Sequence, residues 1–215
     1  MKEFLVIGLG RFGASVAKTL AENGYDVLGI DRDEDVVQEL ADILTQAVQA
    51  DAMDEEVLSS LGVSEFDVAV VCIGSNIEAS IFVTLILKKL GIKYVIAKAK
   101  EDNHGRVLEK VGADRIVFPE REMGSRVAHN LMSSNVLDYI ELATDYSIVE
   151  IRTTENMVGE SIIDLDLRRK FGVSVIGIKR DDKVNFVPGP RDTIEENDTL
   201  LVIGTNDQIE TLKNY

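Results

Sequence analysis

The stretch L5-V-I-G-L-G-R-F-G-A-S-V-A-K-T-L-A-E-N-G-Y-D-V-L-G-I-D-R-D33 decides the fold. It reads as an apolar strand, a glycine-rich turn, an amphipathic helix and a second apolar strand closed by an acid. The turn is Gly8-x-Gly10-x-x-Gly13, and Asp31 lies eighteen residues beyond Gly13. A bare glycine triplet is weak evidence. Here it follows a strand, opens a helix and has its acid at the end of the next strand, which are the three contexts a dinucleotide-type loop requires. Gly8 permits the tight turn, Gly10 lets a diphosphate approach the backbone, and Gly13 lets the helix pack on the strand. The free N–H groups and partial positive charge of the helix N-terminus favour phosphate. Asp31 can accept hydrogen bonds from ribose hydroxyls, and its charge disfavours the 2′-phosphate of NADP. Phe12, Val16 and Leu20 fall on one face of the helix, and Gly24 stops it.

Working outward, the same rhythm continues to residue 118. Buried strands are expected at Phe4–Ile7, Val27–Ile30, Gln46–Ala50, Val68–Ile73, Tyr94–Ala97 and Arg115–Phe118. Helical patterns separate them at 11–23, 33–43, 54–60, 76–90 and 102–111, the fourth opening on Ser75-Asn-Ile-Glu78 as a capping box. This alternation predicts an α/β fold, a Rossmann-like doubly wound parallel sheet. After Pro119 a helix over 120–134 is expected, and then the rhythm changes. Ser147–Thr153, Val173–Ile178, Val184–Val187 and Leu200–Ile203 read as strands, Glu160–Lys170 and Asp207–Lys213 as helices. Pro188-Gly-Pro190 is a turn signal. The expected domains are therefore 1–134, a nucleotide-binding domain with a crossover helix at 120–134, and 135–215, a small C-terminal α+β domain.

Composition narrows the partners. The chain of 215 residues carries 38 acidic against 23 basic residues, a net charge of −15, so a nucleic-acid phosphate backbone would repel it. The single cysteine, Cys72, allows no internal disulfide framework and no multi-thiolate zinc site. Its setting, D67-V-A-V-V-C-I-G74, is that of a buried strand residue. Met1-Lys-Glu leads straight into a strand, without a secretory leader. The longest apolar run, Ile81–Leu87, is far short of the ~20 residues a membrane span needs. A soluble, cytoplasmic chain without direct membrane insertion is expected.

Other residues around the loop have more than one reading. Asp51-Ala52 follows the third strand, where Asp51 either accepts from an adenine amino group or caps the next helix. Ile73-Gly74-Ser75 ends the fourth strand at the cleft rim, where Gly74 admits a ligand or only permits the turn. Arg11, inside the glycine loop, either reaches a terminal phosphate bidentately or is a surface arginine. With Phe12 in the loop and Arg32 beside Asp31, these form the candidate nucleotide-binding set. Tyr94-x-x-x-Lys98 has the spacing of a dehydrogenase catalytic pair, but that pair needs a helix, where i and i+4 are about 5–6 Å apart. On a strand the two are about 13 Å apart, and the β-branched run here reads as strand. His104 and His129 have no metal-spaced neighbours and are expected at the surface. Glu120 and Glu122 suit the first turn of a helix. No nucleophile–base pair is found, which argues against an NAD-dependent oxidoreductase. A free-standing nucleotide sensor is a further alternative.

Taken together, V6-I-G-L-G-R-F-G13, I30-D-R32, Q49-A-D-A52, V71-C-I-G-S-N76, A113-D-R-I-V-F-P-E-R-E-M-G124, D166-L-R-R-K-F-G-V-S-V-I-G-I-K-R180 and D198-T-L-L-V-I-G204 resemble the RCK family, the regulators of potassium conductance. The likeness spans essentially the whole chain and is greatest to the cytosolic nucleotide-binding subunits of Ktr/Trk potassium uptake systems. It implies a non-enzymatic gating subunit at the inner face of the plasma membrane, held there by an integral-membrane potassium transporter subunit. It implies a homodimer through the crossover helix and an octameric ring. It also implies competition of ATP, ADP and NAD(H) for the glycine loop. By position, Arg11 matches the arginine on the terminal phosphate of ATP. Glu120 matches a carboxylate that helps to bind a divalent cation, Mg²⁺ or Ca²⁺, near that phosphate across the dimer. Asp31 matches the ribose ligand, and Asp51 with Ala52 the adenine contacts. Some members bind cyclic di-AMP in the C-terminal domain. The corresponding region is Arg169–Ile178, and there Ser174 departs from a frequent asparagine. Enteric Trk subunits carry two such modules in tandem and this sequence has one, so it resembles a Ktr subunit or a half-length Trk relative.

Overall fold

A computed structural model of the chain describes residues 2–132, 136–143, 145–181, 183–213 and 215. Its contacts divide into two compact units, Met1–Pro119 and Glu120–Tyr215. The first unit runs β1 (Glu3–Ile7), α1 (Arg11–Glu22), β2 (Asp26–Asp31), α2 (Glu34–Leu40), β3 (Gln46–Gln49), α3 (Glu55–Ser60), β4 (Val68–Val71), α4 (Ile77–Lys89), β5 (Tyr94–Lys98), α5 (Asp102–Lys110) and β6 (Arg115–Val117). All six strands are parallel, in the order β3-β2-β1-β4-β5-β6. The winding reverses at β1, where Ile7 lies beside Ile30 of β2 on one side and Val71 of β4 on the other. A crevice opens at the carboxyl ends of the strands at such a point.

The sheet buries both faces, and alternation along β1 divides its side chains between them. Leu5 and Ile7 join a core that includes Val83, Leu87 and Leu108 of α4 and α5. Val6 joins the opposite core with Ala17 of α1 and Val37 and Leu40 of α2. Gly24 follows α1 with φ +81°, the left-handed conformation that ends helices. Asp33, Asp54 and Asn76 cap α2, α3 and α4. The cap of α4 is thus Asn76, whose side chain accepts from the Ala79 N–H at 3.0 Å, and not Ser75 of the expected capping box.

The second unit contains α6 (Pro119–Met132), β7 (Val136–Ala143), β8 (Tyr146–Arg152), α7 (Ile162–Leu165), α8 (Leu167–Phe171), β9 (Ser174–Arg180), β10 (Lys183–Phe186), β11 (Thr199–Thr205) and α9 (Asn206–Lys213). Its five strands form an antiparallel sheet in the order β10-β9-β11-β8-β7. Ser147, Val149 and Ile151 of β8 alternate inward, onto a core with Val202, Ile209 and Leu212.

Three features differ from the sequence expectations. β7 carries no expectation, and its register against β8 slips twice, at Val136/Asp138 and Glu141/Ala143. Each slip resets the two-residue period that would mark a strand. The single helix expected over Glu160–Lys170 is two short helices. Asp166 between them has φ +48°, which no continuous α-helix accommodates. Finally, contacts group residues 120–132 of α6 with the second unit, although the sequence reading attaches 120–134 to the first. Arg126 of α6 donates to Asp138 of β7 through Nε at 2.7 Å and through Nη2, and His129 stacks on Tyr139 with ring centroids 4.2 Å apart. Residues 133 and 134 lie outside the described residues. Among the described residues no helix is long and apolar enough to cross a membrane.

Candidate nucleotide-binding site

The cleft at the strand ends is lined by Gly8, Gly10, Asp31, Arg32, Asp51, Ala52, Ile73 and Ser75 among others, so eight of the candidate residues converge. Their positions follow from the backbone. The Gly8 N–H donates to Ile30 O at 2.8 Å and the Cys72 N–H to Ile7 O at 2.7 Å, which draws the strand ends together beneath the glycine loop. Gly8 has φ +89°. A Cβ on Gly13 would lie 1.8 Å from Gly8 O, so only glycine lets α1 pack here. A Cβ on Gly10 would meet nothing within 4 Å, and the φ of −61° suits any residue. The glycine at position 10 therefore answers no need of the protein's own packing. It leaves open the approach to the N-terminus of α1, which has no side-chain cap and no acid in its first turn. Those conditions suit an external anion.

Asp31 has a task that spacing does not reveal. Its Oδ2 accepts from the Leu9 N–H at 2.5 Å and its Oδ1 from the Asp33 N–H at 3.0 Å. The carboxylate thus pins the glycine loop to the end of β2. An ionised carboxylate offers about four lone-pair sites, so acceptors are left for ribose hydroxyls. Asp51 does not cap α3, which removes that reading. Its Oδ1 instead accepts from Arg32 Nη2 at 2.6 Å and from the Met53 N–H at 2.9 Å. The Arg32 guanidinium first, then the Met53 N–H, hold the Asp51 carboxyl below its usual range. Both partners are about half exposed, so the pair adds little stability. It frames the outer wall of the cleft.

Arg11 and Phe12 begin α1 beside the loop, Arg11 exposed and Phe12 half-buried. Gly74 lies beyond β4, where a Cβ would come within 3.3 Å of Lys98 Nζ. Tyr94 and Lys98 are the two ends of β5, which excludes the catalytic pair. Lys98 itself lies near the loop, with Nζ 5.7 Å from the centroid of the Phe12 ring. Sequence reasoning passed over it, because only the order of strands brings β5 to this edge. Asn76, Ala79 and Val83 of the α4 start also line the cleft. Cys72 is buried as expected, and burial pushes its thiol up to about 12, so it is inert.

Of two residues outside the cleft, Glu120 lies where the sequence places it and His104 does not. Glu120 is in the first turn of α6 and groups with the second unit. One carboxylate suits a cation shared with nucleotide phosphates and not an all-protein cage. His104 is buried, 4% exposed, and not at the surface. Its Nδ1 accepts from the Lys100 N–H at 3.2 Å, which fixes the proton on Nε2, and Nε2 is buried without a partner. Desolvation lowers its pKa.

Comparison with known proteins agrees with this geometry over both units. Residues 4–119 match the family model of the TrkA-N domain and residues 146–215 that of the TrkA-C domain. The chain is 50% identical over 204 residues to "Ktr system potassium uptake protein C" of Bacillus subtilis, covering 95% of this chain and 92% of that one. It is 44% identical over 213 residues to "Ktr system potassium uptake protein A" of the same organism, covering 99% and 96%. Among solved structures, "GsuK channel bound to NAD" superposes with a TM-score of 0.68 at 20% identity, a likeness of fold. It covers 99% of this chain but 39% of that one, so this chain spans well under half of the channel polypeptide.

Proposed function

The chain belongs to the Ktr/Trk branch of the RCK family, a TrkA-N domain followed by a TrkA-C domain, and from that premise we propose that it is a non-enzymatic gating subunit of a potassium uptake system. In this reading it binds ATP, ADP or NAD(H) at the glycine loop and passes the ligand state to an integral-membrane transporter subunit. It works in the cytoplasm, at the inner face of the membrane, as a homodimer built into an octameric ring. The observation that carries the nucleotide part is the open N-terminus of α1 at Gly10, beside a cleft whose polar wall is Asp31 and Asp51. Names of the relatives carry the potassium part.

A ligand shifts a conformational equilibrium only through its different affinity for the two states. One extra phosphate, held by Arg11 and by a divalent cation that Glu120 of the partner subunit helps to bind across the dimer, supplies that difference between ATP and ADP. The cation also offsets repulsion between phosphate and carboxylate. Cyclic di-AMP remains a candidate second ligand for the Arg169–Ile178 region. The test is a binding comparison of ATP, ADP and NADH with and without Mg²⁺ or Ca²⁺. Arg11→Ala is expected to weaken ATP roughly tenfold or more and ADP much less. Equal losses for both nucleotides would remove the terminal-phosphate role.

A further inference from the structure

We propose that Lys98, beside the glycine loop at Phe12 and Gly74, is a specificity residue that selects a ligand with a terminal phosphate over one ending in oxidised nicotinamide. The inference rests on the adenine-nucleotide reading and adds the ligand class at the site's second half. The order of strands supplies the direction. Asp51 follows β3, Asp31 ends β2, the glycine loop follows β1, Gly74 follows β4, and Lys98 ends β5. An adenosine seated between Asp51 and Asp31 sends its phosphates over the glycine loop toward β4 and β5. Strands in a sheet are about 4.8 Å apart, so β5 lies about 14 Å from β2. That is beyond the ribose and within reach of a triphosphate or of the second half of a dinucleotide.

Three observations fix the lysine's charge at that end. Its Nζ lies 5.7 Å from the Phe12 ring centroid, over the first turn of α1. It also lies 3.3 Å from where a Cβ on Gly74 would be, so that glycine leaves the space the ammonium uses. Its field reaches Cys72 beneath the loop, where it opposes the effect of burial. A lysine ammonium is a compact charge with three donors, well suited to phosphate oxygens. The nicotinamide ring of NAD⁺ is itself cationic and would meet a like charge. NADH is neutral at that ring and escapes this repulsion.

The experiment measures dissociation constants of ATP, NAD⁺, NADH and adenosine for the whole chain and for Lys98→Gln and Lys98→Arg, with melting curves to verify folding. Lys98→Gln is expected to weaken ATP about tenfold, to strengthen NAD⁺ or leave it unchanged, and to leave adenosine unchanged. Lys98→Arg should retain the preference for ATP over NAD⁺. If the folded Gln variant keeps the wild-type ratio of ATP to NAD⁺ affinity, Lys98 is not the selector, while the nucleotide reading stands. If the wild-type chain binds neither adenosine nor ATP, both readings fall. If Lys98→Gln weakens adenosine as much as ATP, the effect is on cleft shape and the charge argument fails.

Discussion

Gly10 and Gly13 of the first loop have opposite reasons to be glycine, and single substitutions separate them. Gly13→Ala must push a methyl against a carbonyl oxygen that would lie 1.8 Å away. It is expected to cost at least about 3 kcal/mol. Gly10→Ala meets open space, so thermal unfolding should be nearly unchanged while ATP affinity falls at least about tenfold, as the methyl obstructs phosphate approach. A Gly10→Ala protein that melts normally and binds ATP normally would contradict the assigned role of this loop. The motif and the packing task of Gly13 were legible in the sequence, while the carbonyl that a Gly13 methyl would strike and the open space around Gly10 were not, because they depend on what each missing Cβ would touch. His104 shows the same limit. Its neighbours in E101-D-N-H104 are polar, yet the ring is buried. Burial lowers its folded pKa below the usual 6.5, so its neutral form is favoured above that pH. Stability is therefore complete above about pH 6.5 and declines as pH falls through the lowered value. Denaturant midpoints between about pH 7 and 5 should decline in wild type and be flatter in His104→Gln.

Among the elements, helices with plain periodicity and strands buried on both faces were readable, while those with local irregularity were not. β1, β2 and β4 are continuous apolar runs because helices cover both faces of a parallel sheet. β7 slips register twice, and α7 and α8 are separated by one residue of positive φ; neither signal survives averaging over a window. A long-range ion pair illustrates what else pattern cannot supply. Arg180, the last residue of β9, donates through Nε and Nη2 to Asp198 at 2.8 Å each, just before β11. The Glu195 N–H also donates to Asp198, at 2.8 Å, and the Asp198 side chain is fully buried. The arginine, with its hydrogen bonds foremost, holds the Asp198 carboxyl below its usual range. Since the folded pKa is depressed, the stabilisation is present above about pH 4 and is lost as pH falls below it. Asp198→Asn is expected to cost about 2 kcal/mol at pH 7, discounted because Arg180 is partly exposed, and to reduce the loss on acidification. Equal denaturation midpoints for variant and wild type at pH 7 would show that this pair does not hold β9 to β11.

At the scale of the whole molecule, α6 displays an apolar stripe: Met123, Val127 and Leu131 are 55%, 49% and 82% exposed at four-residue spacing. Such a stripe on a helix otherwise rich in polar residues suits a second copy of the chain, which fits the dimer implied by the family likeness. Light scattering at micromolar concentration should give an even-numbered oligomer, and Val127→Glu with Leu131→Glu should reduce its mass. A monomeric wild-type chain would count against the ring assembly. The sequence by itself determined the strand–loop–helix of the candidate site, the parallel αβ alternation and the change of architecture after Pro119. These follow from short-range physics: glycine freedom, the dipole of the helix that the loop opens, and the period of apolar residues. Only the tertiary structure decided that Asp31 anchors the loop, that Asp51 is held by Arg32, that His104 is buried and that Lys98 lies beside Phe12 and Gly74. Each of those depends on the order in which six strands assemble, and strand order is set by contacts between residues far apart in the chain.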